Sequence, residues 1–222
     1  MAGHESRLNV LAANLANVQT SGFKRELAAE HEAHMARRLG TVKGVTNTMK
    51  VDFSQGNLER TGRDLDFALD GSGFFAIEGK GGELYTRDGS FHLTGEGVLV
   101  ADDGRPVAWE QQGGFLDATG EPILVRGDGE IRQGQNLIGK LKIVDFKELD
   151  QLQRNADGYW VAHEDMEEAI PTANVHQGAL ETSNANPIEE LIAMIALQRS
   201  YESVSSTFRG LSDTFQRLTR PF

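Results

Sequence analysis

Cysteine is absent from the 222 residues, so disulfides and thiolate metal sites are excluded. Proline is scarce, five residues against 25 glycines, which points to tight turns and not to a stiff proline-rich linker. No apolar run approaches the roughly 18 residues of a membrane span. Nor does a basic stretch followed by an apolar one mark the N-terminus. Membrane insertion and a cleaved Sec-type leader are therefore not expected. Positive charge is also short, with a formal net charge of −11. The deficit is concentrated: residues 51–185 hold 25 acids and 11 bases, while residues 1–50 stand at +3 and residues 186–222 at 0. An acidic middle argues against nucleic acid and anionic membrane as partners. Near-neutral ends suit surfaces that pack.

What the sequence does have is helical periodicity at both ends. From Met194 the large apolar residues fall at Leu197, Tyr201, Val204, Phe208, Leu211, Phe215 and Leu218, in steps alternating three and four. A mean period of 3.5 is the seam of a coiled coil, narrower than the face of an ordinary surface helix. Asn186 as N-cap, Pro187 at the first helical position, and Glu189 and Glu190 in the first turn predict the start. Arg217, Arg220 and Pro221 predict the end. Ile188, Leu191, Ile192 and Ile195 add a second apolar cluster. At the other end, Leu8, Leu11, Leu15 and Val18 carry the same rhythm, beside small Ala12, Ala13 and Ala16. Each large side chain gains roughly 1.5–3 kcal/mol on burial. Both helices need partners, and their seam residues are the candidate subunit interface.

Between the ends the pattern changes. Residues 23–35 read as a polar, helix-compatible stretch with little apolar face, carrying Glu26, Glu30 and Glu32 ahead of Arg37 and Arg38. The terminal helical domain is therefore drawn as 1–38 plus 186–222. Residues 39–57 read as an extended connector. Residues 58–185 read as a β-rich domain of short strands, such as 65–69, 74–78, 84–87, 91–93, 98–101, 106–109, 123–125, 130–132, 140–146 and 159–162. Asp88-Gly89, Asp103-Gly104, Asp128-Gly129 and Asp157-Gly158 are candidate tight turns. Phe74, Phe75, Tyr85, Phe91, Trp109 and Trp160 are the expected β-domain core. The predicted class is α+β: long N- and C-terminal helices forming a coiled coil, with an inserted antiparallel β domain.

No chemical constellation stands out. Gly71-Ser72-Gly73-Phe74-Phe75-Ala76 matches half of a dinucleotide fingerprint, but strand-like residues follow where a helix is required. His31-Glu32-Ala33-His34 has the wrong spacing for a zinc helix and no third ligand. Glu164, Asp165, Glu167 and Glu168 lack the spacing of a calcium loop and read as a solvated run. No G-x-S-x-G elbow is present. Catalytic, cofactor-binding and metal-binding residues are not expected. Asn14 and Asn17 have two readings, contacts to neighbouring subunits or routine helix-end chemistry.

Several stretches are distinctive. Residues 7–24 read RLNVLAANLANVQTSGFK, with Asn14, Asn17, Thr20, Gly22 and Phe23 at the motif positions. Further along stand DFSQGNL at 52–58, LDFAL at 65–69, GSGFF at 71–75 and YTRDGSF at 85–91, then GALETSN at 178–184 and QRSYE at 198–202. Together they resemble the bacterial flagellar rod and hook protein family in its FlgF/FlgG branch, with Ala13 where the family commonly has Asn. The resemblance implies a structural subunit of the basal-body rod, not an enzyme, with helices in an inner layer and β domain outside. It implies other copies and other rod and hook subunits as partners, and uncleaved delivery to the periplasm by the flagellar type III export apparatus. The short β insert and Asn186-Pro187-Ile188-Glu189 favour the proximal-rod FlgF type. The ETSN, QRSYE and QRLT strings lean toward distal-rod FlgG. A secreted adhesin-like protein that binds through its β domain is the alternative from another class.

Overall fold

The computed structural model describes residues 2–37, 40–163 and 165–218. Its chain divides into two compact units, one of Met1–Val18, Arg25–Asp52 and Ala185–Phe222, the other of Gln19–Lys24 and Phe53–Asn184.

In the first unit, α1 (Ala2–Ala16) stops where Asn17 places its backbone N–H (3.1 Å) and its side-chain amide (2.9 Å) on the Ala13 carbonyl. Strands β1 (Glu26–Arg37) and β2 (Gly40–Val51) form an antiparallel hairpin, in register from Glu26 opposite Val51 to Arg37 opposite Gly40. Helix α2 (Pro187–Leu218) runs for 32 residues. Its start is capped by Asn186, whose Oδ1 accepts the Ile188 N–H at 3.0 Å while its amide reaches Glu189 Oε1 at 3.2 Å. The predicted stop at Arg220 and Pro221 lies outside the described residues.

The expected fold class does not hold. Among the described residues there are two α-helices, α1 of only 15 residues and α2, and nearly all the other regular structure is strand. A helix of about four turns cannot supply the long partner that a coiled coil along α2 requires. The seam rhythm counts apolar positions but not the terminator at Asn17. The polar helix expected over residues 23–35 does not form, and residues 26–37 are strand β1. The partner strand decides this. Thr41, Val42, Val45, Thr46, Thr48 and Val51 are β-branched and favour a pleated strand. Exposed charges along a helix surface contribute only about 0.2–0.5 kcal/mol per pair.

The second unit holds β3 (Leu58–Arg60), β4 (Phe67–Asp70), β5 (Phe74–Gly79), β6 (Gly82–Thr86), β7 (Phe91–Leu93) and β8 (Leu99–Ala101). It continues with β9 (Trp109–Gln112), β10 (Ile123–Val125), β11 (Glu130–Gln133), β12 (Asn136–Leu141) and β13 (Ile143–Phe146). Last come β14 (Gln153–Arg154), β15 (Trp160–Val161), β16 (Glu168–Ala169), β17 (Asn174–Gln177) and β18 (Ala179–Glu181). The largest sheet has the order β14-β15-β6-β5-β13-β16, and a second has β10-β11-β12-β9. Two antiparallel pairs, β17 with β4 and β18 with β3, bring the last strands back to the first.

Strand β5 explains the core. Side chains alternate between faces along a strand, and here both faces are covered. Phe75 and Ile77 enter a cluster with Phe67, Phe91, Leu99, Ile131 and Leu141, where the Phe91 ring lies 5.3 Å from Phe75 and 5.7 Å from Phe67. Phe74 faces the other way, 5.9 Å from Phe53 and 6.4 Å from Phe146, and Phe53 continues to Trp160 at 5.0 Å. Trp109 is only partly buried, unlike the other five aromatic residues expected in the core. Three of the four Asp-Gly pairs are turns with glycine at positive φ. Asp88-Gly89 is not one of them: a Cβ at Gly89 would lie 1.7 Å from the Phe67 carbonyl oxygen. Gly89 is small because β4 passes against it.

Phe91→Ala should cost about 3–5 kcal/mol in urea unfolding of the full chain. A loss below about 1 kcal/mol would contradict a core position for that ring.

Candidate functional site

The distinctive stretches of the sequence converge on one carboxylate. Glu181 closes β18 and is shielded from water, as are Lys24 and Arg87. Lys24 Nζ lies 2.6 Å from Glu181 Oε1 and also donates to the Ser54 carbonyl at 2.7 Å. Gly56 N–H donates to the same Oε1 at 2.9 Å. Arg87 Nη1 reaches Glu181 Oε2 at 3.2 Å, while Nη2 donates to the Gly71 carbonyl at 2.8 Å. The Arg87 guanidinium also lies over the Phe74 ring, 5.2 Å from its centroid. Burial lowers the Arg87 pKa from its ordinary value, and Glu181, then Asp145, act in the opposite direction.

The backbone is drawn into the same junction. Gly22 N–H donates to the Glu181 carbonyl at 2.8 Å. A Cβ at Gly22 would lie 2.3 Å from Asp88 N and 2.4 Å from the Arg87 carbonyl carbon, and its φ is 66°. Only glycine fits there. Phe23 is buried beneath Arg154, whose guanidinium sits 4.6 Å from the ring centroid. Gly-Phe-Lys thus serves as close approach, anchor and counter-charge in three successive residues.

A second clamp lies within the first unit. Asn14, fully buried on α1, exchanges two hydrogen bonds with the Glu26 backbone: Nδ2 to the carbonyl and N–H to Oδ1, both 2.8 Å. The same Nδ2 lies 3.3 Å from Glu190 Oε2 on α2. Arg25 Nε meets the other oxygen of Glu190 at 2.5 Å. One asparagine therefore fixes α1, the start of β1 and the first turn of α2. Asn14 thus has side-chain partners within its own chain, and Asn17 bonds back to the last turn of α1.

The seam residues divide between the helices. Leu8, Leu11 and Leu15 lie on α1, with Val18 just beyond it, and Met194 to Leu218 lie on α2. A groove of about 490 Å³ is lined by Val10 and Leu11 of α1, Leu27 of β1 and Ala193, Ala196 and Leu197 of α2. Tyr201 is exposed. The side chains of Val204, Phe208, Leu211, Phe215 and Leu218 lie outside the description, as do those of His31, Glu32 and His34, and residue Glu164. Thr20 accepts the Phe23 N–H through its carbonyl at 3.3 Å. Gly71 and Gly73 form the turn between β4 and β5, and no helix follows. Lys24, Arg25, Arg87, Glu181 and Glu190 were not singled out in the sequence as site residues. Charged residues inside otherwise apolar or turn-forming motifs were the available clue.

These arrangements fasten chain segments together. Three family models match in chain order: flagella basal body rod protein over residues 1–24, flagellar hook protein FlgE/F/G D1 domain over 68–135, and flagellar basal body rod FlgEFG protein C-terminal over 176–220. The flagellar basal-body rod protein FlgF of Caulobacter vibrioides is 36% identical over 206 residues, covering 89% of this chain and 84% of its own. FlgG of Buchnera aphidicola subsp. Acyrthosiphon pisum is 33% identical over 244 residues, covering 96% and 93%. FlgF of Escherichia coli K12 is 31% identical over 226 residues, covering 94% and 89%. The chain belongs to the flagellar basal-body rod protein family. It is a structural subunit of the rod and not an enzyme.

Removing the charge of Glu181 strands two buried cations. Glu181→Gln should lower the unfolding free energy by about 3–5 kcal/mol, read from urea denaturation. Asn14→Ala should leave the β-rich unit unchanged and accelerate amide exchange in α1 by roughly tenfold, for a loss of about 1–3 kcal/mol.

Proposed function

We propose that this subunit is of the proximal-rod, FlgF-like type and assembles through its two helices. It contacts further copies of itself and the neighbouring rod and hook subunits, in the periplasmic part of the basal body. The flagellar type III export apparatus carries it there without removal of a leader. The supporting observation is the apolar surface left open on α2. Ile188, Leu191, Ile192 and Ile195 are all exposed, and they recur at the i, i+3, i+4, i+7 spacing of one helix face. Covering each would contribute roughly 1.5–3 kcal/mol. The seam residues Leu8, Leu11, Leu15 and Val18, with Met194, Leu197, Tyr201, Val204, Phe208, Leu211, Phe215 and Leu218, are the second contact surface of this proposal, and on α2 they lie on the side of the helix away from the isoleucine cluster.

The FlgF assignment is supported by length. The Caulobacter FlgF match needs 206 aligned positions for 89% of the chain, whereas the Buchnera FlgG match needs 244 for 96%, so the FlgG relative carries insertions that this chain lacks. The relatives named above are rod proteins and lend an adhesin-like role no support.

Ile192→Asp and Leu211→Asp should each abolish swimming and rod incorporation while circular dichroism of the β-rich unit is unchanged, because a carboxylate in a dry contact is costly. Incorporation at wild-type levels would remove the helices from the assembly surface. Expression in strains lacking either FlgF or FlgG should restore motility only in the first.

A further inference from the structure

We propose that copies of this chain meet head-to-tail, the isoleucine stripe of α2 in one copy entering a groove between α1 and α2 of the next, with Arg199 brought to Glu5 and Glu202. This deepens the assembly reading above and rests on it. The stripe ends in a cation. Ile188, Leu191, Ile192 and Ile195 are followed at i+11 by Arg199, on the same side of the helix. Arg199 is exposed and has no ion-pair or hydrogen-bond partner among the described residues.

The groove has the opposite character. It encloses about 420–470 Å³ of space at most, and is lined by Glu5 and Leu8 of α1 with Leu197, Gln198, Tyr201 and Glu202 of α2. Leu8 is 37% and Tyr201 45% exposed, so its apolar lining is open. Glu5 and Glu202 are exposed, and neither has a counter-charge among the described residues. Glu202 stands at i+3 from Arg199 on the same helix, yet no ion pair joins them. Two acids share an apolar groove with no cation lining it.

The occupant is a second copy because stripe and groove lie on different sides of α2. At about 100° per residue, Leu197 and Tyr201 stand roughly 150° around the helix from the centre of the stripe. A copy therefore does not reach its own groove. Stripe laid on stripe would leave both grooves open and their acids unanswered. Stripe in groove covers both apolar surfaces and sets the cation of one copy against the acids of the next. A contact between two different patches does not close as a pair, and it continues from copy to copy.

The test uses the absence of cysteine, which makes introduced thiols the only ones in the chain. Ile195→Cys marks the stripe and Leu8→Cys the groove, both exposed positions. Oxidised basal bodies containing the double variant should yield a ladder of multimers of this chain, since each copy is joined to two others. Ile195→Cys alone should yield none. Dimers from Ile195→Cys alone overturn the pairing, as does a double variant that is incorporated but forms no cross-link. Arg199→Glu should lower incorporation roughly tenfold, and adding Glu5→Arg with Glu202→Arg should restore it. Unchanged incorporation of Arg199→Glu, or no restoration, also overturns the pairing. Normal incorporation of Ile192→Asp would sink the assembly reading itself; loss of Ile192→Asp with normal Arg199→Glu removes the head-to-tail contact alone.

Discussion

A carboxylate withdrawn from water must be matched by positive charge, and Glu181 is matched twice. Taking three ionised groups out of solvent costs several kcal/mol per ion, so such a cluster adds little net stability over a well-packed apolar one. What it supplies is uniqueness. Lys24, Arg87 and Glu181 come from segments far apart in the chain, and the arrangement is satisfied only when all are in place. The glycines at 22, 56 and 71 belong to the same requirement. Each brings backbone close enough to the charged groups to fill the remaining hydrogen bonds or to clear the approach.

The N-terminal stretch divides its labour accordingly. Asn14 and Asn17 serve the helix, one as a clamp to β1 and α2, the other as a terminator. Gly22, Phe23 and Lys24 belong to the β-rich unit. A single run of sequence thus holds residues for two separate structural tasks. That is why it looks uniformly distinctive although it contains no catalytic chemistry.

Much of the β-rich unit was legible because burial was strong and local. Phe74 to Ile77 is apolar at four successive positions and lies in a strand covered on both faces; β7 and β10 stand where the short apolar runs fall. The N-cap of α2 could be read from Asn186 and Pro187. Strands β17 and β18 carry no sequence signal because they are short, with few large apolar residues beside Asn174, His176, Gln177 and Glu181, and they owe their existence to partners over 100 residues away. Strand β1 was misread as helix because a polar, helix-compatible composition is a local property and strand pairing is not. The coiled-coil class failed for a related reason: periodicity reports which face is apolar, not how far the helix continues. The roles of Lys24, Arg87 and Glu181 were hidden because a lone charge in a sequence does not reveal its counter-charge.

The span between Lys24 and Glu181 is 157 residues, and this sets a timetable. A ribosome making this protein produces both cations long before it produces the anion that neutralises them. Until residue 181 has left the exit tunnel, closing the β-rich unit would bury Lys24 and Arg87 against nothing. The strands that shut the unit, β17 and β18, emerge in the same late interval. A nascent chain of this kind stays open through most of its synthesis, and the final native contacts wait on its last quarter.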